Sequence, residues 1–158
     1  MRLAASAAVA AAPDAAIEAF LSRASFFARF SAAQRARIAS IARPVTLPAG
    51  KQVYSVGEPA NTFYVLIEGT ILFSLAVGNR QASAGQIIGH GEVFGWGALV
   101  ESRQKRIASA TATAPCKALA IDGSQLIALA DADHSLGYAL MRGLNAIITG
   151  TLTAFAAG

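Results

Sequence analysis

The stretch GEVFGWGALVESRQKRIASATA, residues 91–112, decides the fold predicted for this chain. Two glycines flank a lone tryptophan, Trp96, and a basic patch follows that ends at Arg106. Glycines let a backbone turn and approach a partner closely, and a guanidinium is the usual partner for a pair of anionic oxygens. The pattern predicts a phosphate cradle bordered by an indole.

The segments on either side of this stretch predict a β-rich domain. After Pro44 the apolar residues recur with period two, and glycines recur at turn-like intervals. The fold class is therefore mainly β with flanking helices: an antiparallel β-roll, or double-stranded β-helix of the jelly-roll kind, over residues 43–121. Its strand-like runs are PVTL, QVYSV, TFYVLIEG, TILFSLAV, QIIGHGEVFG, RIASATAT and CKALAI.

Helical patterns precede the roll, over residues 14–42. Apolar residues three and four apart follow Asp14, the run ASFFARF predicts a short helical turn with its phenylalanines inward, and SAAQ at 31–34 is a capping-box pattern. Residues 1–13 are expected to be a flexible tail and not a cleaved secretory signal, because Leu3 and Val9 are their only strongly apolar residues besides Met1.

Helical patterns also follow the roll, over residues 122–157. SQLIALA predicts one helix after Asp122, and Asp133 is a candidate cap for a longer second helix. The second helix carries an apolar stripe of Leu136, Leu140, Leu144, Ile147, Ile148, Leu152 and Phe155. The 158 residues are interpreted as one domain with a short tail, 14–158 being the domain.

Composition excludes several classes of protein. No apolar run reaches the ~20 residues of a membrane-spanning helix, and the net charge of +4 comes without a block of basic residues typical of nucleic-acid binding. Charged residues make up only 14%, against ~25% in a typical soluble domain, which favours self-association. The single cysteine, Cys116, is too few for a disulfide or a zinc site, and a cytoplasmic location is expected.

The sequence also lacks the motifs of common enzyme classes. H-E-x-x-H, C-x-x-C, G-x-S-x-G and G-x-x-x-x-G-K-S/T are all missing, and no nucleophile stands near an evident base. We therefore expect a binding or scaffold protein and not an enzyme.

Taken in order, these segments resemble the cyclic-nucleotide-binding domain family of the catabolite activator protein and Fnr-like sensory domains. LPAGKQVYSVGEPANTFYVLIEGTI is similar to the family's first strands, residues 91–112 to its phosphate-binding cassette, and CKALAI with two helices to its last strand and its hinge and lid helices. The resemblance covers about residues 14 to 155. It implies a non-enzymatic sensory or regulatory module.

The resemblance also implies a set of site residues. The family cassette reads roughly Phe-Gly-Glu-x-Ala-Leu and then Arg-x-Ala, and Phe94 begins the matching segment here. Trp96 replaces the glutamate that accepts the ribose hydroxyl, and Ile107 stands where a hydroxyl or small residue is common. The implied anion-binding residues are Gly95, Gly97, Ala98, Leu99, Arg106 and Ala108.

Two functions stay open at this point. The first is a sensor of a small anion, either a cyclic nucleotide (cAMP or cGMP) with altered sugar contacts or another anion. The second is a degenerate member that binds no nucleotide and contacts proteins, as a homodimer through the helix at 133–155. Trp96 would plug or border the pocket, or stack on a base; Arg106 would hold an anion, or pair with Glu92 or Glu101.

The chain ends shortly after the predicted lid helix, at Gly158. Transcription factors of the resembled family carry a helix-turn-helix domain after that helix. We therefore expect a stand-alone module without direct DNA binding and without a membrane partner.

Overall fold

Two antiparallel sheets form the middle of the chain, between helices on both sides. A computed structural model describes residues 14–77, 80–81, 86–100 and 105–157; the predicted tail at 1–13 lies outside these ranges. The first sheet has the order β1-β9-β3-β7, and the second has β2-β8-β4-β5 with β6 also paired to β4. The strands are β1 Ala42–Leu47, β2 Gln52–Tyr54, β3 Thr62–Glu68, β4 Ile71–Val77, β5 Arg80–Gln81, β6 Gln86–Ile88, β7 Val93–Phe94, β8 Ala108–Ala112 and β9 Cys116–Asp122.

Strand pairing joins segments that are distant in the sequence. β9 lies between β1 and β3, so that Val65 faces Leu119 across one sheet. β8 lies between β2 and β4 in the other sheet, where Phe73 pairs with Ala110. Such crossing connections close a roll, which confirms the predicted fold class of a mainly β domain with flanking helices.

The two helices before the roll are joined by a phenylalanine-rich turn. Helix α1 runs through residues 14–23, a 3₁₀ turn follows at Ser25–Arg29, and α2 spans Ala32–Ile41. Ser31 and Gln34 form the predicted capping box, each side chain accepting from the other residue's backbone N–H. The predicted inward placement of the turn's aromatic residues is confirmed, because Phe26, Phe27 and Phe30 are all buried.

Two helices follow the roll, α3 at Gly123–Ala132 and α4 at His134–Ala157. The Asp133 carboxylate caps α4 by accepting from the Leu136 backbone N–H at 3.2 Å, as predicted. The same carboxylate accepts from Gln34 at 3.3 Å and from Arg37 at 3.2 Å, both on α2. Hydrogen bonds thus join the connection between α3 and α4 to α2, which precedes the roll.

The buried residues form two clusters. One lies between the helices and the first sheet and includes Phe27, Phe63 and Leu136; the other lies inside the roll and includes Leu66, Ile71 and Phe94. The outer cluster fixes where α4 lies against the roll, so it also shapes the space between them. No helix within the described ranges is long and apolar enough to cross a membrane.

Candidate ligand site

The predicted cassette begins with a sharp turn at the end of β7. Gly95 has a φ of +76°, and a 3₁₀ turn at Trp96–Leu99 follows it. A Cβ on Gly95 would lie 2.8 Å from the Thr62 carbonyl oxygen and 3.2 Å from an Arg106 nitrogen. Only glycine fits both this backbone conformation and this spacing, so the turn brings the cassette directly against Arg106.

Arg106 lies inside the protein, with 6% of its surface exposed. One terminal nitrogen donates to the Gly95 carbonyl at 2.9 Å, and the other donates to the Thr62 carbonyl at 2.7 Å. Its backbone is held as well, because its N–H donates to the Glu58 carbonyl at 2.7 Å and its carbonyl accepts from Gly57 at 2.8 Å. The guanidinium is therefore fixed beside the cassette and does not point into bulk water.

An aromatic stack lies beneath the guanidinium. The Arg106 Cζ is 4.0 Å from the centre of the Tyr54 ring, which is close enough for a cation–π interaction. Tyr64 and Phe94 extend the stack, with ring centres 4.9 Å apart and planes within 9°. Burial lowers the pKa of Arg106, and the nearby Tyr54, Tyr64 and Glu58 act in the opposite direction.

Among the residues that the structure describes, one nitrogen of Arg106 has no hydrogen-bond acceptor. Its Nε is buried and makes no hydrogen bond within the part of the chain that the structure describes. The alternative of an ion pair with Glu92 is not found, because the ion pairs among the described residues are Arg37–Asp133 and Lys117–Glu68. The Glu92 carboxylate accepts from the Gly89 backbone N–H, and Glu101 lies outside the described residues. A buried donor without an acceptor is costly, so the Nε position favours an incoming oxygen.

Trp96 separates two cavities of very different size. The cleft beside Arg106 has a volume of about 20 Å³, enough for roughly one water molecule. The second cavity has about 300 Å³ and lies between the roll, the 3₁₀ turn at Ser25–Arg29 and α4. Trp96 and Phe73 line both cavities. The indole thus borders the predicted pocket, and the cleft beside Arg106 is too small for a ligand of more than a few atoms unless a lining side chain moves.

The other predicted residues lie around the smaller cleft or behind it. Gly97, Ile107 and Ala108 line the cleft together with Arg106, and the Ile107 side chain is 44% exposed. Leu99 is buried in the outer cluster, and Ala98 packs against that cluster near Gly123. The fold therefore brings all eight predicted positions into one region. Leu99 and Ala98 pack against the outer cluster and do not line the cleft.

Sequence reasoning missed two residues that hold Arg106. Tyr54 supplies the ring beneath the guanidinium, and Thr62 supplies a carbonyl acceptor. The period-two pattern of QVYSV marked Tyr54 only as a strand residue. A backbone acceptor such as the Thr62 carbonyl leaves no side-chain signal at all.

Tyr54 gives this region a pH-dependent stability. Burial raises the pKa of Tyr54 to about 12, against opposing effects of Arg106 and of a hydrogen bond with the Gly95 backbone. An unfolded chain releases the phenol proton near pH 10, so the unfolded state loses its proton first as the pH rises. The free energy of unfolding should be unaffected below about pH 10 and fall by about 2 to 3 kcal/mol between about pH 10 and 12.

Urea unfolding at a series of pH values measures this effect, with Tyr54→Phe as the control. The variant should lack the decrease in the free energy of unfolding that Tyr54 causes at alkaline pH, and should keep the decrease due to other groups. If the free energy of unfolding decreased equally with alkaline pH in the two proteins, the prediction would be contradicted.

A comparison with models of protein families identifies the family of this domain. The description "Cyclic nucleotide-binding domain" matches residues 44–133, which is more than half of the chain. This chain belongs to the cyclic nucleotide-binding domain family. The matched range includes the cassette turn at Gly95 and the buried Arg106. The predicted family resemblance is confirmed, and the function class is that of a regulatory domain of the cyclic nucleotide-binding type.

Several solved structures share the fold of this chain. The chain is similar to a putative cyclic nucleotide-binding protein from Geobacter metallireducens, with 25% identity, a TM-score of 0.69, and coverage of 81% of this chain and 92% of that one. It is also similar to the N-terminal domain of a transcriptional regulator from Streptomyces coelicolor, with 25% identity, a TM-score of 0.67, and coverage of 86% and 94%.

A third similar structure was solved with a ligand. The regulatory domain of Toxoplasma gondii PKA, solved with cAMP, has a TM-score of 0.74 at 19% identity, over 92% of this chain and 52% of that one. At this identity the likeness shows the fold alone. No curated protein matched the sequence, and the described residues contain no group of acidic, histidine or cysteine side chains that could hold a metal ion.

Proposed function

We propose that this protein is a sensory module that receives an oxygen of a small anion at Arg106. The unpartnered Arg106 Nε is the observation that carries the proposal, because it is a charged donor, buried, at the wall of the cassette cleft. A cyclic nucleotide with altered sugar contacts is the candidate ligand, and cAMP in the PKA structure supports it.

Trp96 changes how such a ligand is held. A hydrogen bond to a charged group contributes about 1.5 to 3 kcal/mol, so loss of a carboxylate at this position weakens binding by about ten- to 150-fold. The indole also occupies space between the two cavities. The protein is therefore expected to bind a cyclic nucleotide weakly, or to prefer an anion without a ribose.

Calorimetric titration with cAMP, cGMP and inorganic phosphate tests the proposal. Wild-type protein should release heat with at least one of them below millimolar concentration, and Trp96→Glu should bind the cyclic nucleotides about ten- to 150-fold more tightly. Arg106→Lys keeps the charge but loses the Nε donor and the planar geometry, and should bind at least about tenfold more weakly.

Circular dichroism of each variant checks that the fold is kept. The proposal fails if none of the three anions gives heat at millimolar concentration with folded wild-type protein. It also fails if the Arg106→Lys and wild-type proteins bind all of them equally.

The outer face of α4 favours a second candidate function, protein contact through a homodimer. Its apolar side chains are unusually exposed, with Tyr138 at 66%, Met141 at 42% and Leu152 at 61%. With Asn145 and Ile148 between them, these positions follow each other by three and four residues, the spacing of a coiled-coil seam. A single asparagine among apolar seam residues favours pairing with a second copy in one register.

Light scattering over a dilution series tests the homodimer. Wild-type protein should have twice the mass of the chain, and the double variant Met141→Lys with Leu152→Lys should have the mass of one chain, because it places like charges on the seam. Gln125→Lys with Ala128→Lys adds the same charge on exposed positions of α3 and should stay dimeric. A wild-type protein that is monomeric at micromolar concentration would contradict this function.

A further inference from the structure

A groove between α3 and the back of the cassette turn is a feature that neither proposed function uses. It has a volume of about 620 Å³, and its lining shares no residue with the cleft beside Arg106 or with the cavity beneath α4. One wall is the exposed side of α3, and the other is formed by residues 98–100 of the cassette with Ala60 and Asn61. We call this space the α3 groove.

The two walls of the α3 groove are joined at the start of the helix. A Cβ on Gly123 would overlap the Ala98 carbonyl oxygen, so α3 begins in direct contact with the cassette. The Gly123 backbone N–H donates to the Asn61 carbonyl at 2.9 Å, which ties the same residue to the segment before β3. The position of α3 relative to the opposite wall is therefore fixed at this end of the groove.

The α3 wall presents an acidic, an apolar and again an acidic surface along the helix. Asp122 caps the start of α3, Asp131 lies near its end, and both line the groove. They are nine positions apart, which corresponds to about 14 Å along a helix. Ile127 and Ala128 lie between them on the same wall. A molecule that matches this wall has a cation at each end and an apolar middle.

Both carboxylates are available to a cationic ligand. In the described part of the chain, neither Asp122 nor Asp131 forms an ion pair, and no basic side chain lines the groove. Hydrogen bonds from the Ser124 hydroxyl and the Gln125 backbone N–H lower the pKa of Asp122, and Arg43, outside the lining, adds a smaller effect of the same sign. The groove is thus an acidic site on a chain whose net charge is +4.

The surface between the two carboxylates is suited to an alkyl chain. Leu99 is buried there, and Val100 and Ile127 are half-buried. Ala98 and Ala128 add methyl groups that leave the space above them open. An alkyl chain would leave water on entering this part of the groove, which favours binding.

We propose that the α3 groove binds a linear aliphatic amine with a cationic nitrogen at each end, one at Asp122 and the other at Asp131, its alkyl chain lying against Ile127 and Val100. A single ammonium group would leave one carboxylate without a partner, and two carboxylates about 14 Å apart along the helix cannot share one metal ion. The inference goes beyond both proposed functions and does not rest on them, because neither Arg106 nor α4 contributes to this lining.

The probe is 1,8-diaminooctane, whose nitrogens are about 11 Å apart when the chain is extended. With a hydrogen bond of about 3 Å at each end, it is long enough to reach both carboxylates. Octylamine is the control with the same chain and one cation, and 1,3-diaminopropane is the control with two cations about 5 Å apart.

Calorimetric titration at low ionic strength, where exposed ion pairs are least screened, compares the three amines. Wild-type protein should bind 1,8-diaminooctane in a saturable way. Octylamine should bind about fivefold more weakly, as expected for the loss of one exposed ion pair. The short diamine should bind at least about tenfold more weakly, because it cannot reach both carboxylates and has little alkyl surface to bury.

Four variants, each checked for folding by circular dichroism, locate the site. Asp131→Asn and Asp122→Asn should each bind 1,8-diaminooctane about fivefold more weakly, and Asn keeps α3 capped at position 122 because it is as good an N-cap as Asp. Ala128→Lys places a cation between the two aspartates and should lose binding at least tenfold. Glu68→Gln removes an exposed carboxylate outside the groove and should bind like the wild type.

The other results overturn the inference. No saturable binding to folded wild-type protein, or equal binding of the three amines, would do so, and unchanged binding by Asp131→Asn and Ala128→Lys would place the amine elsewhere. If the wild type bound no amine and Ala128→Lys had a lower mass in light scattering, the occupant would be a second copy of the chain. Arg106→Lys should bind 1,8-diaminooctane like the wild type, so a failure here is distinguishable from a failure of the anion proposal.

Discussion

Gly95→Ala is expected to lower the free energy of unfolding by about 2 to 5 kcal/mol. The residue has a φ of +76°, where an L side chain costs about 1 to 2 kcal/mol. A Cβ would also lie 2.8 Å from the Thr62 oxygen and 3.1 Å from a Tyr64 ring carbon, and such overpacking costs about 1 to 3 kcal/mol. Urea unfolding followed by circular dichroism measures the sum.

Gly57→Ala is the matched control for this change. Gly57 has a φ of +89°, and a Cβ there meets nothing within 4 Å. It should therefore show only the backbone cost of about 1 to 2 kcal/mol. If the two variants were equally stable, the cassette would not be packed against Thr62 and Arg106 as described.

The second large effect is expected for Arg106→Met, which should lower the free energy of unfolding by about 2 to 4 kcal/mol. The Thr62 carbonyl loses its donor at 2.7 Å, and an unpaired buried polar group costs about 1 to 3 kcal/mol. The interaction with the Tyr54 ring, worth up to about 2 kcal/mol when desolvated, is lost as well. These losses are partly offset, because folding of the methionine variant no longer requires a charged guanidinium to be desolvated.

Arg37→Met provides the comparison. Arg37 also donates to a protein acceptor, Asp133, but 53% of its side chain is exposed, and such ion pairs contribute about 0 to 1 kcal/mol. Thermal and urea unfolding of both variants measure the contrast. A stability of Arg106→Met within about 0.5 kcal/mol of wild type would mean that the guanidinium does not hold β3 and the cassette together.

The parts of the fold with short-range signals were predictable from the sequence. Period-two alternation and turn glycines are local features, and they marked the roll. The capping box at Ser31 and the cap at Asp133 are local too, because each joins residues three positions apart. These features depend on geometry that a few neighbouring residues determine by themselves.

The direction of Arg106 was not predictable, because its acceptor Thr62 lies 44 residues away and is a backbone atom. The spacing of the cassette predicted an anion-binding role for Arg106. It did not predict that the two terminal nitrogens of Arg106 donate to backbone carbonyls of the protein itself. The cavity beneath α4 was missed for a similar reason. Its width depends on the close approach of Gly143 to Phe26, a contact between distant helical segments.

The Asp133 carboxylate has a mechanical consequence for any movement of α4. It caps the first turn of that helix, and Gln34 and Arg37 of α2 donate to the same carboxylate. A displacement of the first turn of α4 would therefore be passed to α2 through the Asp133 carboxylate, without involving the sheets. The long helix that follows the roll would then move together with α2, the helix that precedes it.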